Sequence, residues 1–157
     1  MANQKKEIER KFLVTSNDWK ENNKGVLYRQ GYLSIDPERT VRVRLESEYG
    51  KITIKGKKEN GAGDEYEYDI PRNEAVYLIE HLCIKPSIEK MRCKINYRGN
   101  IWIVDEFLGE NLGLILAEIE LGSVNQQFDK PEWIGEDVTE DPKYKNANLV
   151  KNPFSKW

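Results

Sequence analysis

Glu7-Ile8-Glu9-Arg10-Lys11-Phe12-Leu13-Val14 is the stretch on which the reading of the whole chain turns. In an extended strand alternate side chains share a face, so Glu7, Glu9 and Lys11 project to one side. Arg10 has the opposite parity and points away from them. Two carboxylates and an ammonium held together in this way suit a hard metal ion beside an anion.

The same alternation returns along most of the chain. Residues 40–48 place Val41, Val43 and Leu45 on one face and Arg42, Arg44 and Glu46 on the other. Tyr49-Gly50 reads as the turn into a second strand over 51–57, which completes a hairpin. Asn60-Gly61-Ala62-Gly63 is a flexible connection to 64–70, where Glu65, Glu67 and Asp69 alternate with Tyr66, Tyr68 and Ile70. Residues 87–97 set Ile88, Lys90, Arg92 and Lys94 on one face. Arg98-Gly99-Asn100 then turns the chain into a strand over 101–107, and a further strand over 114–121 carries Glu118 and Glu120. An earlier strand over 27–35 ends at the Asp36-Pro37 turn.

Period two is broken once, by Ala75, Val76, Leu78, Ile79, Leu82 and Cys83 at helical spacing. This predicts one amphipathic helix over 73–84 with Asn73 as its cap. Shorter helices are expected at 16–20, from the capping-box pattern Ser123-Val124-Asn125-Gln126, and within 142–150 behind Asp141-Pro142. About eight strands with short turns and a few helices predict a mainly β fold of the α+β kind. Eight such strands make an antiparallel sheet that can close into a β-barrel, although closure does not follow from the pattern itself. The 157 residues suit one domain over 1–157, and no linker composition divides them.

Composition narrows the function. Lys and Arg number 25 against 27 Asp and Glu, for a net charge of −2. That balance argues against a general nucleic-acid or anionic-membrane binder, and no sequence-specific nucleic acid is expected as a partner. The start Met-Ala-Asn-Gln-Lys-Lys is polar and has no secretory apolar region, and no apolar run reaches the ~18 residues of a membrane span. Cys83 and Cys93 lack metal-type spacing and lie among apolar neighbours, so they read as buried thiols of a cytoplasmic protein. His81 is the only histidine, which leaves no histidine-based triad or zinc cluster. Gly61-Ala62-Gly63 lacks the lysine and hydroxyl ending of a phosphate loop. Trp19, Trp102, Trp133 and Trp157 read as packing residues, and Lys145 as either solvated or near a tunnel mouth.

A single strand with one charged face is ordinarily a strand with one face in water. The strands taken jointly say more. If their charged faces turn inward, Lys11, Arg42, Arg44, Lys55, Lys90, Arg92 and Lys94 share an interior with Glu7, Glu9, Glu65, Glu67, Asp105, Glu118 and Glu120. Arginine and lysine bind phosphate oxygens, the first as a fork and the second as a point charge. Carboxylates do not, but they hold Mg²⁺ or Mn²⁺, which bridges to phosphate. A polyphosphate bound with a divalent metal needs both sets.

Several stretches then occur in a set order: Glu7-Ile8-Glu9-Arg10-Lys11-Phe12-Leu13, Gln30-Gly31-Tyr32-Leu33, Val41-Arg42-Val43-Arg44, Thr53-Ile54-Lys55, Glu65-Tyr66-Glu67, Glu89-Lys90-Met91-Arg92, Val104-Asp105-Glu106-Phe107, Ala117-Glu118-Ile119-Glu120-Leu121, and Asp137-Val138-Thr139 followed by Tyr144-Lys145-Asn146. On these residues the chain resembles the small single-domain bacterial members of the CYTH domain, or triphosphate tunnel metalloenzyme, superfamily. The resemblance implies an eight-stranded tunnel that binds triphosphates with divalent metal. It puts Arg42, Arg44, Lys55, Lys90 and Arg92 on the phosphates. Glu7, Glu9, Glu118 and Glu120 become the main metal carboxylates, with Glu65, Glu67 and Asp105 as further candidates for two Mg²⁺ or Mn²⁺ ions. It also maps a catalytic Lys–Tyr pair onto Lys11 and Tyr32.

The activity it implies is hydrolysis of inorganic tripolyphosphate, and of nucleoside triphosphates such as ATP. Three alternatives share these features: a class IV adenylate cyclase making cyclic AMP and pyrophosphate, a thiamine triphosphatase, and a non-catalytic binder of polyphosphate or RNA 5′-triphosphate ends. The apolar outer face of Val41, Val43 and Leu45 offers a bed for helices or a homodimer surface.

Overall fold

The opening strand is longer than its signature and is interrupted once. In the computed structural model, which describes residues 3–21 and 23–157, β1 spans Asn3–Glu7 and β2 spans Glu9–Val14, with Ile8 between them. Met1 and Ala2, the beginning of the polar start, lie outside the described residues.

Eight further strands follow: β3 (Val26–Asp36), β4 (Arg39–Glu46), β5 (Tyr49–Gly56), β6 (Gly63–Ile70), β7 (Ile84–Tyr97), β8 (Asn100–Phe107), β9 (Ile115–Glu120) and β10 (Ile134–Asp137). Two α-helices, α1 (Arg72–His81) and α2 (Asn146–Lys151), complete the regular elements together with short 3₁₀ turns. All ten strands belong to one sheet in the order β1-β6-β5-β4-β3-β7-β8-β9-β2-β10, and every pairing is antiparallel. β1 pairs with β6 and β2 with β9, while the Ile8 carbonyl accepts from Leu121 N at 2.8 Å. The sheet therefore returns to the segment from which it starts, and the charged faces line a common interior.

The register fixes what that interior contains. On β4, β5 and β6, Arg42 faces Thr53, which faces Glu67, and Thr40 faces Lys55, which faces Glu65. On the other side Lys11 faces Glu118, Glu9 faces Glu120, and Arg92 faces Asp105. Along several strands the inward residues change from charged to apolar toward one end: Glu9 and Lys11 give way to Leu13, Arg92 and Lys90 to Ile88, Asp105 to Phe107, Glu118 to Leu116. There Ile88, Phe107 and Leu116 are at most 1% exposed and pack with Tyr32 and with Leu149 and Val150 of α2. α2 thus stoppers one end, and only part of the interior is charged.

The outer faces bury their apolar residues in two further layers. Phe12, Trp102, Val104, Ala117 and Ile119 form the first, joined by Trp19, Cys93, Leu121 and Trp133. α1 packs the second, Ala75 and Ile79 meeting Val43 and Cys83, with Leu45, Ile52, Ile70 and Leu78 at its margin. That approach is close: a methyl group at Gly50 would stand 2.7 Å from the Ala75 Cβ. Burial of apolar area on this scale is the main driving force for the fold. Both cysteines are buried and unbridged as expected.

Several boundaries differ from the sequence reading. The turn after β4 lies at Ser47-Glu48, where Ser47 takes φ 50°, so Tyr49 and Gly50 already belong to β5. α1 begins behind Pro71 and ends at His81, because proline suits a helix entrance and residues 84–86 are drawn into β7. Ser123–Gln126 forms no helix; the Gln126 side chain reaches back as in a capping box, but it accepts from Gly122 N at 2.6 Å and closes a turn. β10 is a short strand with no alternating signal, pinned to β2 by the Arg10–Asp137 ion pair. Asp141 does cap as expected, accepting from Lys143 N at 3.0 Å, but it opens a 3₁₀ turn ahead of α2. Among the described residues no helix is long and apolar enough to cross a membrane.

Candidate functional site

Two charged walls meet in the interior, joined by β3. On the first wall Arg42 Nη2 donates to Thr53 Oγ1 at 3.3 Å, and Thr53 donates on to Glu67 Oε2 at 3.0 Å. Arg44 Nη2 lies 2.5 Å from Glu46 and 3.9 Å from Glu67. Burial pushes the Glu67 carboxyl up, but the Thr53 hydrogen bond and Arg44 bring it below its usual range. Lys55 Nζ sits 2.8 Å from Glu7 Oε1 and 3.6 Å from Glu65 Oε2; burial opposes its charge, but Glu7, by charge and hydrogen bond, and Glu9 together hold Lys55 above its ordinary value.

The second wall is tighter. Arg92 donates Nε and Nη2 to the two oxygens of Asp105, each at 2.7 Å, and Lys90 Nζ stands 2.9 Å from Oδ2. Burial opposes the Asp105 charge, yet Lys90 and Arg92 hold it low. Lys90, 1% exposed, is brought down to about 7 by burial, which Asp105 only partly offsets. Lys11 Nζ donates to the Tyr144 carbonyl at 3.1 Å and lies 3.4 Å from Glu118. Burial disfavours its charge, but Glu118 and Glu9 outweigh that and raise its pKa.

β3 carries the joint. The Tyr28 ring has the Arg44 guanidinium 5.2 Å and the Arg92 guanidinium 4.9 Å from its centroid. Gln30, fully buried, donates Nε2 to Asn146 Oδ1 at 3.2 Å and to the Tyr32 hydroxyl at 3.4 Å. Lys90 Nζ also donates to Asn146 Oδ1, at 3.0 Å. β3 bulges beside Tyr32, where its register with both β4 and β7 shifts; such bulges re-aim side chains beside functional sites.

The structure brings Lys11, Arg42, Arg44, Lys55, Lys90 and Arg92 into one interior with Glu7, Glu9, Glu65, Glu67, Asp105 and Glu118, while Glu120, opposite Glu9 at the end of β9, is exposed. Lys94, although of the same parity, is exposed. Lys11 and Tyr32 make no hydrogen bond to each other; Lys11 reaches the Tyr144 carbonyl, and Tyr32 lies in the apolar layer against which Tyr144 packs. Arg10 stays outside over the Phe12 and Phe128 rings, and His81 stacks on Tyr77 at the surface of α1.

The carboxylates can be tested against a divalent cation. Among the described residues no three acidic, histidine or cysteine side chains converge into a ready cage. Glu7, Glu9 and Glu65 are turned to lysines, and both oxygens of Asp105 are engaged. The donor chemistry nonetheless fits: burial, and after it the neighbouring carboxylate, disfavours the charge of Glu9 and of Glu118, Glu7 acting on the first and Glu9 on the second. Nearby lysines and Arg92 bring Glu9 and Glu118 net below the usual range. Hard oxygens that repel one another are what Mg²⁺ or Mn²⁺ relieves.

Two features point to an anion. The Nε atoms of Arg42 and Arg44 are buried with no hydrogen-bond partner. Burial and the neighbouring Arg42 and Arg92 lower the Arg44 pKa to about 10. Buried charged donors without acceptors are costly, and a multiply charged anion supplies the acceptors.

Gln30, Tyr28, Thr53 and Asn146 were given no role by charge or motif reasoning, although Gln30, Thr53 and Asn146 lie within the stretches that carry the resemblance. Parity could have found the first three, since Tyr28 and Gln30 share the face of Tyr32, and Thr53 that of Lys55. Asn146 carries no such signal, because it enters from α2.

The family model described as CYTH domain matches residues 5–152. A protein named inorganic triphosphatase from Acetivibrio thermocellus is 53% identical over 152 residues, covering 97% of each chain. One of the same name from Nitrosomonas europaea is 35% identical over 92% of this chain and 96% of its own. The crystal structure of an inorganic triphosphatase superposes with a TM-score of 0.66 at 33% identity, covering 91% of this chain and 96% of the other. On the family match and these identities, the chain belongs to the CYTH domain family.

Proposed function

We propose that this protein is a metal-dependent triphosphatase that hydrolyses inorganic tripolyphosphate, and nucleoside triphosphates such as ATP, within one domain over residues 1–157. The observation that carries the reading is the pair of buried, unpartnered guanidinium Nε atoms of Arg42 and Arg44, set among Lys55, Lys90 and Arg92. The relatives named inorganic triphosphatase support it.

Phosphoryl transfer asks a protein mainly for positioning and for neutralisation of charge. Arg42 and Arg44 hold phosphoryl oxygens from the first wall, and Lys55 closes the same group from β5. Lys90 and Arg92 approach from the second wall, with Asp105 fixing the direction of both. Glu7, Glu9, Glu118 and Glu120 would hold Mg²⁺ or Mn²⁺, as two ions, with Glu65 and Glu67 beside them. The metal supplies Lewis-acid polarisation of the phosphoryl oxygens. Lys11, kept charged by Glu118 and Glu9, stabilises the leaving phosphate, and Tyr32 acts with it at the edge of the apolar layer.

The protein works in the cytoplasm, and outer apolar residues that α1 leaves exposed, such as Ile54 and Tyr68, provide the face of a homodimer. The test is a phosphate-release screen over tripolyphosphate, ATP, thiamine triphosphate and pyrophosphate, with and without Mg²⁺ or Mn²⁺. Tripolyphosphate should be turned over with metal, and Glu7→Gln should nearly abolish turnover. Full activity in excess EDTA would remove the metal role, and cyclic AMP from ATP would replace hydrolysis by cyclisation.

A further inference from the structure

Gln30 is an uncharged polar side chain where the charged interior meets the apolar layer, between Arg44 and Ile88, fully buried, and its Oε1 has no hydrogen-bond partner. The direction in which its amide points follows from its neighbours. The Asn146 atom that Lys90 Nζ contacts at 3.0 Å is Oδ1, and in the ammonium form, which a bound phosphate anion favours, Lys90 donates only, so that oxygen is an acceptor. Gln30 must present its NH₂ to that same oxygen, at 3.2 Å, and its second N–H lies toward the Tyr32 hydroxyl. The amide oxygen is thereby turned away from both, a bare acceptor with no choice of orientation.

Its surroundings restrict what can fill it. Gln30 faces Arg44 across β4 and Ile88 across β7, and directly opposed side chains have Cβ atoms about 5 Å apart. A phosphoryl group on Arg44 therefore comes within reach of the Gln30 amide. An amide oxygen repels phosphate oxygens, so the group between them must donate hydrogen. Water does so, and a water held there stands beside the phosphoryl centre. Leaving Oε1 without such a partner costs a buried acceptor its hydrogen bond.

We infer that Gln30 holds and orients the attacking water through Oε1, and that Asn146, by accepting from Lys90 and Gln30 together, sets the amide in that orientation. This rests on the triphosphatase reading. Gln30 removes no proton: it accepts one hydrogen bond from the water, which leaves a lone pair of the water oxygen directed at phosphorus. The P–O bond to the leaving phosphate breaks as the new one forms, and the water's proton passes to phosphate oxygen or solvent. Asn146 is a positioning residue that acts through Gln30 and Lys90.

The experiment is kinetic, with tripolyphosphate and the full-length protein. Gln30→Met keeps length and removes the acceptor; kcat should fall about a hundredfold, as loss of orientation of a reacting group does, with KM within about threefold. Gln30→Glu restores an acceptor but adds a negative charge, so it should recover part of kcat while raising KM. Asn146→Ala should lower kcat less than Gln30→Met. A second readout separates orientation from damage: with methanol added, the ratio of methyl phosphate to phosphate reports which nucleophile the site accepts. That ratio should shift in Gln30→Met, whereas misfolding lowers both products equally and leaves it unchanged. An unaltered ratio, or kcat within threefold of wild type in Gln30→Met, overturns the role of Gln30 and leaves the triphosphatase reading standing. Absence of tripolyphosphate turnover in the wild type overturns both.

Discussion

Asp105→Asn removes one charge from the most tightly knit part of the interior and keeps the shape of the side chain. Asp105 is 1% exposed and accepts both fork hydrogens of Arg92 at 2.7 Å and the Lys90 ammonium at 2.9 Å. Breaking a buried ion pair by removing one partner costs about 3–5 kcal/mol, since the other charge is left buried. Two charges are orphaned here, but they do not respond alike. Lys90 already titrates at about 7 and can shed its proton, while Arg92 cannot. The loss should therefore fall at the lower end, about 3 kcal/mol, borne chiefly by Arg92. For a chain of this size that corresponds to a fall in Tm of about 6–12 °C. Denaturant unfolding followed by circular dichroism, with thermal melts of both proteins at pH 7, measures it. A loss below about 1 kcal/mol would refute the argument, because it would mean that Arg92 and Lys90 are solvated without Asp105.

Four further outcomes follow from the same geometry. Arg42→Ala should weaken tripolyphosphate binding and cut turnover at least a hundredfold, read from phosphate release, since a charged donor to the transferring group is lost. Lys90 should take up a proton on binding tripolyphosphate at pH 8: its pKa is depressed from 10.5 to about 7, a nearby anion raises it again, and so the free site is mostly neutral where the bound site is charged. Calorimetry in buffers of differing ionisation enthalpy should show that uptake, and Lys90→Met should lack it. Gly31→Ala should destabilise by about 1–3 kcal/mol in denaturant unfolding, because its methyl would stand 2.7 Å from Cys83 Cβ and 2.9 Å from Sγ. Removal of divalent metal with EDTA should stop tripolyphosphate turnover, and Mg²⁺ or Mn²⁺ should restore it.

The period-two alternation carried most of the architecture, because a residue's parity alone decides whether it faces the interior. This is why Lys11, Arg42, Lys55, Arg92, Glu9 and Glu118 could be grouped before any pairing was known. It could not show the interruption at Ile8, which leaves the alternation intact, or β10, whose four residues are too few to display a period. The capping-box pattern at Ser123 was real chemistry put to another use, a side chain closing a turn. In the site, charge drew attention to ions and away from neutral inward residues, so Gln30, Tyr28 and Thr53 were passed over although their parity was readable. The Asn146 contacts depend on α2 docking against β3 and β7, a long-range event with no local signature. Ion pairing was equally hidden: that Asp105 faces two cations follows from strand register and not from its own neighbours in sequence.

The central claim is that the charged interior hydrolyses a phosphoanhydride. Phosphorus-31 NMR of tripolyphosphate incubated with the protein and Mg²⁺ tests it most directly. The terminal and central resonances of tripolyphosphate should disappear while pyrophosphate and phosphate grow in equal amounts, and Arg42→Ala should leave the spectrum unchanged over the same time. Tripolyphosphate that binds but persists with every divalent metal tried would contradict the account and mark the protein as a binder.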